Sequence, residues 1–437
     1  MNRKDYWIAL VSSMEQIIGA GLSTVVGIML PMLQLILHPG LPSAVQGIIG
    51  ATGLIGIGVG SAAIGKLSDR HGYLLWFRLC PAVIMAGAAI CWLLPHPAWL
   101  VCGLFLAGIG VGGGYSLDSA YISELMPVRW RGVMVGVAKA SSSAGFILTA
   151  VICWFWLKSD PDPHIWNRLI LIIGAAGAAT LLMRVRWAES PGWLLDHGRR
   201  DEALAAARKF FGPDATLPAV SAAKTPAKAT PWSAMFRGEN LTRVIFSGIP
   251  WACEGLGVYG FGVFLPVLVM ALGIESSSVT GMPKVIDSVA VTAVVNFFIL
   301  PGFVLGLLIM NRCNHVKMLT RGFVLAGLGL ALLLAAFMLR WPSWVMIAGF
   351  VIFEMSLNAG PHLITFIIPS AIYPVDDRGA GTGIAAMLGK AGAVIGVILM
   401  PILLEAGGMT LVLGVSIAVM LLGAAISRIY GRRLGLV

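Results

Sequence analysis

Six ionisable residues lie inside long apolar stretches of the sequence. They are Glu15, Asp118, Lys139, Glu254, Glu354 and Lys390. Deep in a hydrocarbon layer an ionisable side chain costs about 2.5 kcal/mol or more, so its presence indicates a cavity, a partner or a function. A buried carboxylate can bind and release a proton near neutral pH, and a buried lysine can bind an anion. These residue types therefore suit the handling of protons and anions.

Lys390 is the deepest of the basic residues. It lies twelve residues after Arg378, which corresponds to about 18 Å along a helix and to the middle of a hydrocarbon core about 30 Å thick. We predict that Lys390 contacts an anionic substrate, and an internal ion pair with Glu354 or Glu254 is the alternative. Lys139 lies nearer the end of its stretch, where snorkelling or a structural ion pair competes with substrate contact.

Two helical faces combine aromatic and polar side chains. Tyr115 lies one turn before Asp118, and Trp251 lies two turns before Tyr259 with Glu254 between them. A tryptophan and a tyrosine across a small residue could form a slot for a compact solute, whereas ordinary packing explains either aromatic alone.

Two neutral polar residues flank a Gly-Pro pair further along the chain. Asn358 precedes Gly360-Pro361 and His362 follows it. Both offer hydrogen bonds to a substrate, although a single histidine is a structural residue about as often as a ligand. We retain both as candidate substrate contacts.

The elements that must position these residues are membrane-spanning helices. The chain has 437 residues, of which 58% are hydrophobic and 11% charged, and its mean hydropathy is +0.89. Soluble domains average about 25% charged residues, so a soluble chain of this length could not cover its surface. A crossing helix needs about 20 apolar residues. Twelve stretches qualify, namely 7–36, 43–64, 77–94, 98–122, 133–157, 165–185, 242–272, 284–310, 321–340, 343–369, 380–404 and 409–428.

The net charge of +10 follows the membrane topology. Twenty-four of the 30 basic residues fall on the side that holds both termini and the even-numbered connections. By the positive-inside rule this side is cytoplasmic. The basic excess therefore indicates orientation in a cell (inner) membrane, and it does not call for a nucleic-acid partner.

The two halves of the sequence resemble each other. Residues 131–145, RGVMVGVAKASSSAG, align with residues 378–392, RGAGTGIAAMLGKAG, and each segment opens a span. Two six-span units are typical of transporters with a site between the halves near mid-membrane. We predict an all-α membrane protein of two six-helix bundles, residues 1–186 and 241–437, related by a pseudo-twofold axis.

The segment between the halves is polar. Residues 187–240 are rich in charged residues and proline, and residues 221–231 predict an extended linker. Between Gly198 and Gly212 the pattern predicts a short amphipathic helix. We expect this helix to lie along the cytoplasmic membrane face, and a partner-binding helix is the alternative.

The loop between spans 2 and 3 resembles a signature of the major facilitator superfamily, G-x-L-x-D-R-x-G, and the likeness to that superfamily covers the whole chain. The matching residues, GKLSDRHG, run from Gly65 to Gly72 and include Asp69 and Arg70. The resemblance implies a cytoplasmic gate in which the two glycines permit close helix approach and a tight turn. Asp69 would pair with a basic residue, for which Arg131 is the candidate, whereas a solvated loop charge is the alternative.

Other segments resemble particular branches of the superfamily. YISELMPVRWRG (121–132) and AESPGWLLDHGRRDEA (188–203) are similar to the sugar-porter patterns after spans 4 and 6. GPHLITFIIPSAIYPVDDRGAGTGIAAMLGKAGAVIG (360–396) resembles the span 10–11 signature of phosphate:proton symporters. Lys390 falls on the lysine that the phosphate family associates with its anion.

The phosphate resemblance carries differences at three positions. The span-4 Asp of that family is Gly114 here, although the following Tyr115 matches; the span-7 Asp is Gly255; and the span-5 Gln corresponds to Ser142. The glutamine pair that hexose porters carry in span 7 is also missing.

Four acidic residues are candidates for proton coupling. Glu15 is the first choice, because span-1 acids perform this function in related families. Asp118 and Glu254 lie close to the two lost aspartates and could replace them, and Glu354 is the fourth candidate.

The pattern as a whole predicts a proton-coupled secondary transporter that imports a small, anionic solute, phosphate-like or an organic acid, by alternating access. Proton-antiport efflux of a drug-like or metal-chelating compound is the alternative. We expect a monomer without a cofactor, driven by the proton gradient. An enzyme is disfavoured because no nucleotide-binding, H-E-x-x-H or G-x-S-x-G motif occurs in the sequence. The six cysteines lack ligand spacing, so we expect small buried hydrophobic residues and no metal site.

Overall fold

The computed structural model describes residues 3–37, 40–217, 232–274, 280–310, 312–374 and 378–436. These residues form helices and the turns that join them, and no strand occurs among them. The linker predicted at residues 221–231 lies outside the described residues.

The first part of the chain forms eight helices. Long apolar runs fold in this way because each backbone polar group in a membrane must find its partner within the segment. The bounds are α1 (Arg3–Val11), α2 (Met14–Ile36), α3 (Ser43–His71), α4 (Tyr73–Leu93), α5 (Pro97–Leu125), α6 (Arg131–Ala140), α7 (Ser142–Ser159) and α8 (Leu171–Arg184), with 3-10 turns at Val128–Trp130 and Pro163–Arg168.

The remaining helices comprise three short ones in the connecting segment and seven in the second half. The short helices are α9 (Pro191–Asp196), α10 (Arg200–Phe211) and α11 (Trp232–Met235). The others are α12 (Gly238–Leu272), α13 (Met282–Phe297), α14 (Ile299–Ile309), α15 (His315–Met338), α16 (Ser343–Ala359), α17 (Pro361–Ile372) and α18 (Arg378–Arg433).

Eleven continuous or nearly continuous helical segments of the described chain are long and apolar enough to cross a membrane. The last of them, Ala380–Arg433, contains Gly407 and Gly408, whose backbone is not helical. Gly408 has φ 61°, a left-handed conformation that glycine adopts without strain. This break divides the segment into two crossings, so the twelve predicted spans are confirmed.

Several spans are interrupted beside residues that the sequence singles out. The first span breaks between Val11 and Met14, just before Glu15, and the fifth breaks at Ser141. The tenth breaks at Gly360, because Pro361 cannot continue the hydrogen-bonding pattern of α16. Each break leaves backbone groups outside the helical ladder, where they can bind side chains or a ligand.

Two compact units make up the chain, and they do not coincide with the halves of the sequence. Unit 1 comprises Met1–Leu22, Thr52–Gly145 and Asn167–Pro226, and unit 2 comprises Ser23–Ala51, Phe146–Trp166 and Ala227–Val437. Parts of spans 1, 2 and 5 therefore belong with the second half. The predicted division into bundles 1–186 and 241–437 joined by 187–240 stays a prediction.

Glycines bring α12 and α18 together inside unit 2. A Cβ on Gly255 would lie 2.5 Å from the carbonyl oxygen of Gly389, and a Cβ on Gly396 would lie 2.8 Å from the Cα of Leu256. Small residues let membrane helices approach closely. This contact fixes how far apart the side chains of spans 7 and 11 can be.

The predicted amphipathic helix of the connecting segment is confirmed as α10. Its apolar face packs through Ala203 and Phe210, which are buried. On its exposed face Arg199 donates two hydrogen bonds to Glu202, at 2.8 and 2.6 Å. These hydrogen bonds hold the pKa of the Glu202 carboxyl below its usual value.

Candidate functional site

A buried arginine at the end of α8 binds both acidic candidates of unit 1. Arg184 and Glu15 are fully buried, and both terminal guanidinium nitrogens of Arg184 donate to the Glu15 carboxylate. Its Nη2 also lies 3.3 Å from Asp118 Oδ1. We call Glu15, Asp118 and Arg184 the Arg184 triad.

Backbone groups also bind the terminal nitrogens of this guanidinium. Nη2 of Arg184 donates to the Val11 carbonyl and Nη1 to the Phe77 carbonyl, each at 2.9 Å. The Phe77 ring centroid lies 3.5 Å from the guanidinium carbon. The Val11 carbonyl can serve because α1 ends there and its last carbonyls lack helical partners.

Glu15 of span 1 lies directly against Gly114 of span 4. A Cβ on Gly114 would lie 2.5 Å from Glu15 Cδ and 2.8 Å from Glu15 Oε1. The absence of a side chain at Gly114 therefore leaves room for the Glu15 carboxylate. The adjacent Tyr115 is half-buried, and its ring lies against Gly19 of span 1, where a Cβ would be 3.2 Å from Tyr115 Cζ.

The charges of the Arg184 triad do not cancel when both acids are ionised. One guanidinium faces two carboxyl groups, which leaves a net negative charge in a buried place. Asp118 Oδ2 accepts no hydrogen bond from the described residues, and the Asp118 side chain lies within hydrogen-bonding reach of Glu15. A proton on either carboxyl group would bridge the two and neutralise the triad.

Four candidates of unit 2 form a second group, which we call the Lys390 group. It consists of Glu254, Tyr259, His362 and Lys390. Lys390 Nζ lies 5.0 Å from the Tyr259 ring centroid, a cation–π distance, and Glu254 acts on it electrostatically. Lys390 lies deep in the protein, and its side chain keeps part of its accessible surface.

His362 and Glu254 join α17 to α12 within this group. His362 Nδ1 lies 2.8 Å from Glu254 Oε1, and both side chains are buried. The other side of the imidazole meets Phe303 edge-on, at 5.2 Å between ring centroids.

Three more candidates of unit 2 have partners outside the Lys390 group. Trp251 is half-buried, packs edge-on against Phe366 with ring centroids 6.0 Å apart, and covers Gly389. Asn358 donates to the Glu354 carboxylate at 3.1 Å and to its carbonyl at 2.8 Å. Glu354 is therefore held within its own helix.

The remaining substrate candidates belong to unit 1. Ser142 is buried, and its hydroxyl donates to the Lys139 carbonyl at 2.8 Å, which closes the break between α6 and α7. The side chain of Lys139 is half-buried. Their roles in binding stay predictions.

The residues of the predicted cytoplasmic gate show a different pattern of contacts from the one expected. Gly72 has φ 93°, which agrees with a tight turn, whereas a Cβ on Gly65 would have its nearest neighbour at an ordinary 3.5 Å. The exposed Asp69 accepts from Trp193 Nε1 through its carbonyl, at 3.0 Å. Arg131 Nε donates to the Met126 carbonyl at 3.0 Å, at the end of α5, and among the described residues no ion pair joins Arg131 to Asp69.

Sequence reasoning missed Arg184. It ends its apolar stretch, so its charge was attributed to the cytoplasmic surface although the side chain is fully buried. Two acids in spans 1 and 4 without a basic neighbour in those spans could have pointed to it. The sequence also does not reveal the partners of Arg78. Its guanidinium donates to the carbonyls of Arg184, Val185 and Trp187 at 2.7 to 3.2 Å.

Comparisons with known proteins agree with the fold. The family model described as "Sugar (and other) transporter" matches residues 12–430. The inward-open structure of the xylose transporter XylE from E. coli superposes with a TM-score of 0.78 over 98% of this chain and 96% of that chain, at 17% identity. At this identity the likeness establishes the fold alone, which is that of the major facilitator superfamily.

Curated relatives transport several kinds of solute. The inner membrane metabolite transport protein YgcS of Escherichia coli K12 is 27% identical over 87% of this chain and 81% of its own length. The niacin transporter NiaP of Acinetobacter baylyi is 24% identical over 81% and 77%, and the glucose transporter GlcP of Staphylococcus epidermidis 24% over 85% and 82%. These relatives do not single out the phosphate symporter branch that the span 10–11 segment resembles.

Proposed function

Because this chain belongs to the sugar (and other) transporter family, we propose that it takes up a small anionic solute together with protons by alternating access. The family is one of membrane transporters and not of enzymes, and it needs no cofactor. Proton coupling, the direction of transport and the solute are the parts that we propose.

The observation that carries proton coupling is the contact between Glu15 and Asp118 beside Arg184. Two carboxyl groups this close share a proton more easily than they both ionise. Loss of that proton leaves Arg184 between two anions and changes the net charge of a site with no access to water. Charge changes of this kind bias a transporter between its two conformations.

The Lys390 group supports an anionic solute. Lys390 supplies a cation on an accessible surface, Tyr259 lies beneath it, and Trp251 provides a half-buried aromatic face nearby along the same helix. A carboxylate or phosphate would neutralise Lys390, and the aromatic faces would cover the apolar part of an organic acid. The relative NiaP is named as a niacin transporter, and niacin belongs to this substrate class.

Uptake of a neutral monosaccharide is the second candidate. It is favoured by the name of the family and by relatives such as the glucose transporter GlcP. In this case Glu254, His362 and Asn358 would hydrogen-bond hydroxyl groups, and Lys390 would serve mainly to neutralise Glu254.

Uptake into proteoliposomes under an imposed pH gradient tests both the coupling and the substrate class. Phosphate, small monocarboxylates and monosaccharides would be supplied separately at matched concentrations. We expect accumulation of one anion class, and its loss in Lys390→Ala, with the exposed Lys158→Ala as control. Saturable uptake of a sugar and none of the anions would overturn the anionic assignment and favour the second candidate.

Glu15→Gln separates coupling from binding. Symport of one proton with a monoanion allows about tenfold accumulation per pH unit, and we expect this ratio to fall to about one while exchange of internal for external solute continues. The exposed Glu405→Gln serves as control. If Glu15→Gln still accumulates solute uphill, the proton-coupling role passes to Asp118, Glu254 or Glu354.

A further inference from the structure

We propose that unit 2 carries a binding site for an anionic diacyl phospholipid at the cytoplasmic ends of α15 and α18. A basic cavity would hold the headgroup, and an apolar groove would hold an acyl chain. The two openings share Lys317 and Arg321, which connects them into one site.

Four cations line the basic cavity. Its volume is about 280 Å³, and Lys317, Arg321, Arg428 and Arg432 form its charged wall. All four side chains are exposed. Among the described residues, none of the four lies within ion-pair distance of a carboxylate. The cavity therefore concentrates positive charge that the described protein does not neutralise.

The helical positions of these residues make that charge unfavourable without an external anion. Lys317 and Arg321 are four residues apart at the start of α15, and Arg428 and Arg432 are four apart at the end of α18. Like charges at this spacing repel each other. The pair on α15 also opposes the positive end of the helix dipole.

Direct contacts fix the two helices that form the cavity. A Cβ on Gly431 would lie 2.5 Å from Val316 Cγ1, so α18 and α15 cross with almost no space between them. The side chain of Asn314 caps α15 by accepting from two of its N–H groups, and its amide donates to the Leu436 carbonyl at 2.7 Å. The four cations are thus held on a rigid frame.

The apolar groove runs from this cavity between α14, α15 and α16. Its volume is about 640 Å³, within the ~300–1,000 Å³ of typical ligand sites. Leu305, Leu325 and Ile352 line it with 39 to 49% of their surface exposed. On its floor Gly322 and Gly360 meet closely, since a Cβ on Gly360 would lie 3.1 Å from the Gly322 Cα. The absence of side chains there deepens the groove.

The combination fits a lipid better than a free anion. A soluble anion would use the basic cavity alone and leave the apolar groove exposed on membrane-spanning helices. An acyl chain fills the groove, and clustered basic residues attract the anionic lipids of the cytoplasmic leaflet. We therefore assign the site to an acidic phospholipid with its phosphate between α15 and α18.

Native mass spectrometry of the purified full-length chain tests the assignment. The detergent-solubilised protein would be titrated with phosphatidylglycerol, with phosphatidylcholine of the same acyl chains, and with glycerol phosphate. We expect phosphatidylglycerol to bind at least about tenfold more tightly than phosphatidylcholine. Arg428→Gln/Arg432→Gln would weaken it by roughly tenfold or more, whereas Arg208→Gln/Lys209→Gln, exposed residues of α10 with the same charge change, would not.

A groove variant distinguishes the two halves of the site. Leu325→Trp would fill the groove, so we expect weaker binding of phosphatidylglycerol and unchanged binding of glycerol phosphate. Each single variant, Arg428→Gln and Arg432→Gln, provides a milder change should the double variant fail to fold. Equal binding of both lipids, unchanged binding in the arginine variants, or displacement of the lipid by glycerol phosphate alone would overturn the proposal.

Discussion

In unit 1 the buried charges bind one another, whereas in unit 2 Lys390 keeps accessible surface beside the buried Glu254 and His362. The side chains of the Arg184 triad are buried. The Arg184 guanidinium makes five polar contacts with side chains and carbonyls. In the Lys390 group the cation rests on an aromatic ring and keeps accessible surface.

This difference supports the two roles that we propose. A buried cluster with one excess acid suits exchange of a proton, whereas a lysine with accessible surface beside aromatic rings suits binding of a solute. Buried ion pairs are sensitive to removal of one partner, and accessible ones are much less so. The following substitutions exploit that contrast.

Arg184→Leu should have the largest effect, because it leaves Glu15 and Asp118 buried without a cation. We expect a loss of about 3–5 kcal/mol in the free energy of unfolding, measured by thermal and denaturant unfolding in detergent. The exposed Arg186→Leu, two residues away, should change little.

A triple variant sharpens this test. Glu15→Leu/Asp118→Leu/Arg184→Leu removes all three charges and should unfold at a higher temperature than Arg184→Leu alone. If Arg184→Leu is as stable as the wild type, the triad is not the tightly coupled cluster described here.

Gly114→Ala should have the next largest effect. The new methyl group would collide with Glu15 Cδ, and overpacking of this kind costs about 1–3 kcal/mol. Gly58→Ala in α3 is the control, because a Cβ there has no neighbour within 4 Å. We expect Gly114→Ala to lower the unfolding temperature more than Gly58→Ala does. Equal unfolding temperatures of the two variants would contradict the placement of Glu15 against α5.

Glu254→Gln probes the Lys390 group. For an anionic solute we expect roughly tenfold tighter binding, because the variant removes a negative charge that competes with the solute for Lys390. For a monosaccharide we expect weaker binding, because a hydroxyl partner is lost. Isothermal titration or ligand-induced thermal shift would measure it. An anion that binds no better to this variant would argue that Glu254 does not share the site of Lys390.

Glu202→Gln should have the smallest effect and provides an exposed reference for the buried triad. The pKa of Glu202 is lowered by Arg199, so the pair contributes stability above the unfolded pKa and loses it as the pH falls through the folded pKa. Because both side chains are about half exposed, at 48% and 59%, solvent screens the pair. We expect thermal unfolding curves of variant and wild type to coincide from about pH 4 to pH 8, and a clear separation near neutral pH would show that α10 depends on this pair.

The fold was predictable because apolar length and Lys/Arg distribution are strong, additive features of a membrane protein. The twelve spans and the repeat follow from them directly. The helix breaks were harder to predict. The proline of Gly360-Pro361 indicates a break in the sequence. Ser12–Ser13 and Ser141 contain no strong helix breaker, so the breaks there depend on tertiary contacts.

Side-chain partners were harder to predict than positions. Glu15 and Asp118 were identified as buried acids because charge is rare in apolar stretches, but their partner lies 169 residues from Glu15 along the chain. The same limit applies to Glu254 and His362, whose contact depends on how α17 restarts after Gly360. Periodicity places residues on a helical face, and it does not say which helix that face meets.

Arg184 connects its triad to α9 through the backbone. The carbonyls of Arg184, Val185 and Trp187 are held by Arg78, and the Ala188 carbonyl accepts from the Tyr121 hydroxyl at 3.2 Å. If the guanidinium shifts when the triad gains a proton, we expect the shift to reach the peptide that leads into α9. The cleavage rate of this peptide by an added protease would then report the protonation state of a site that no aqueous reagent can reach.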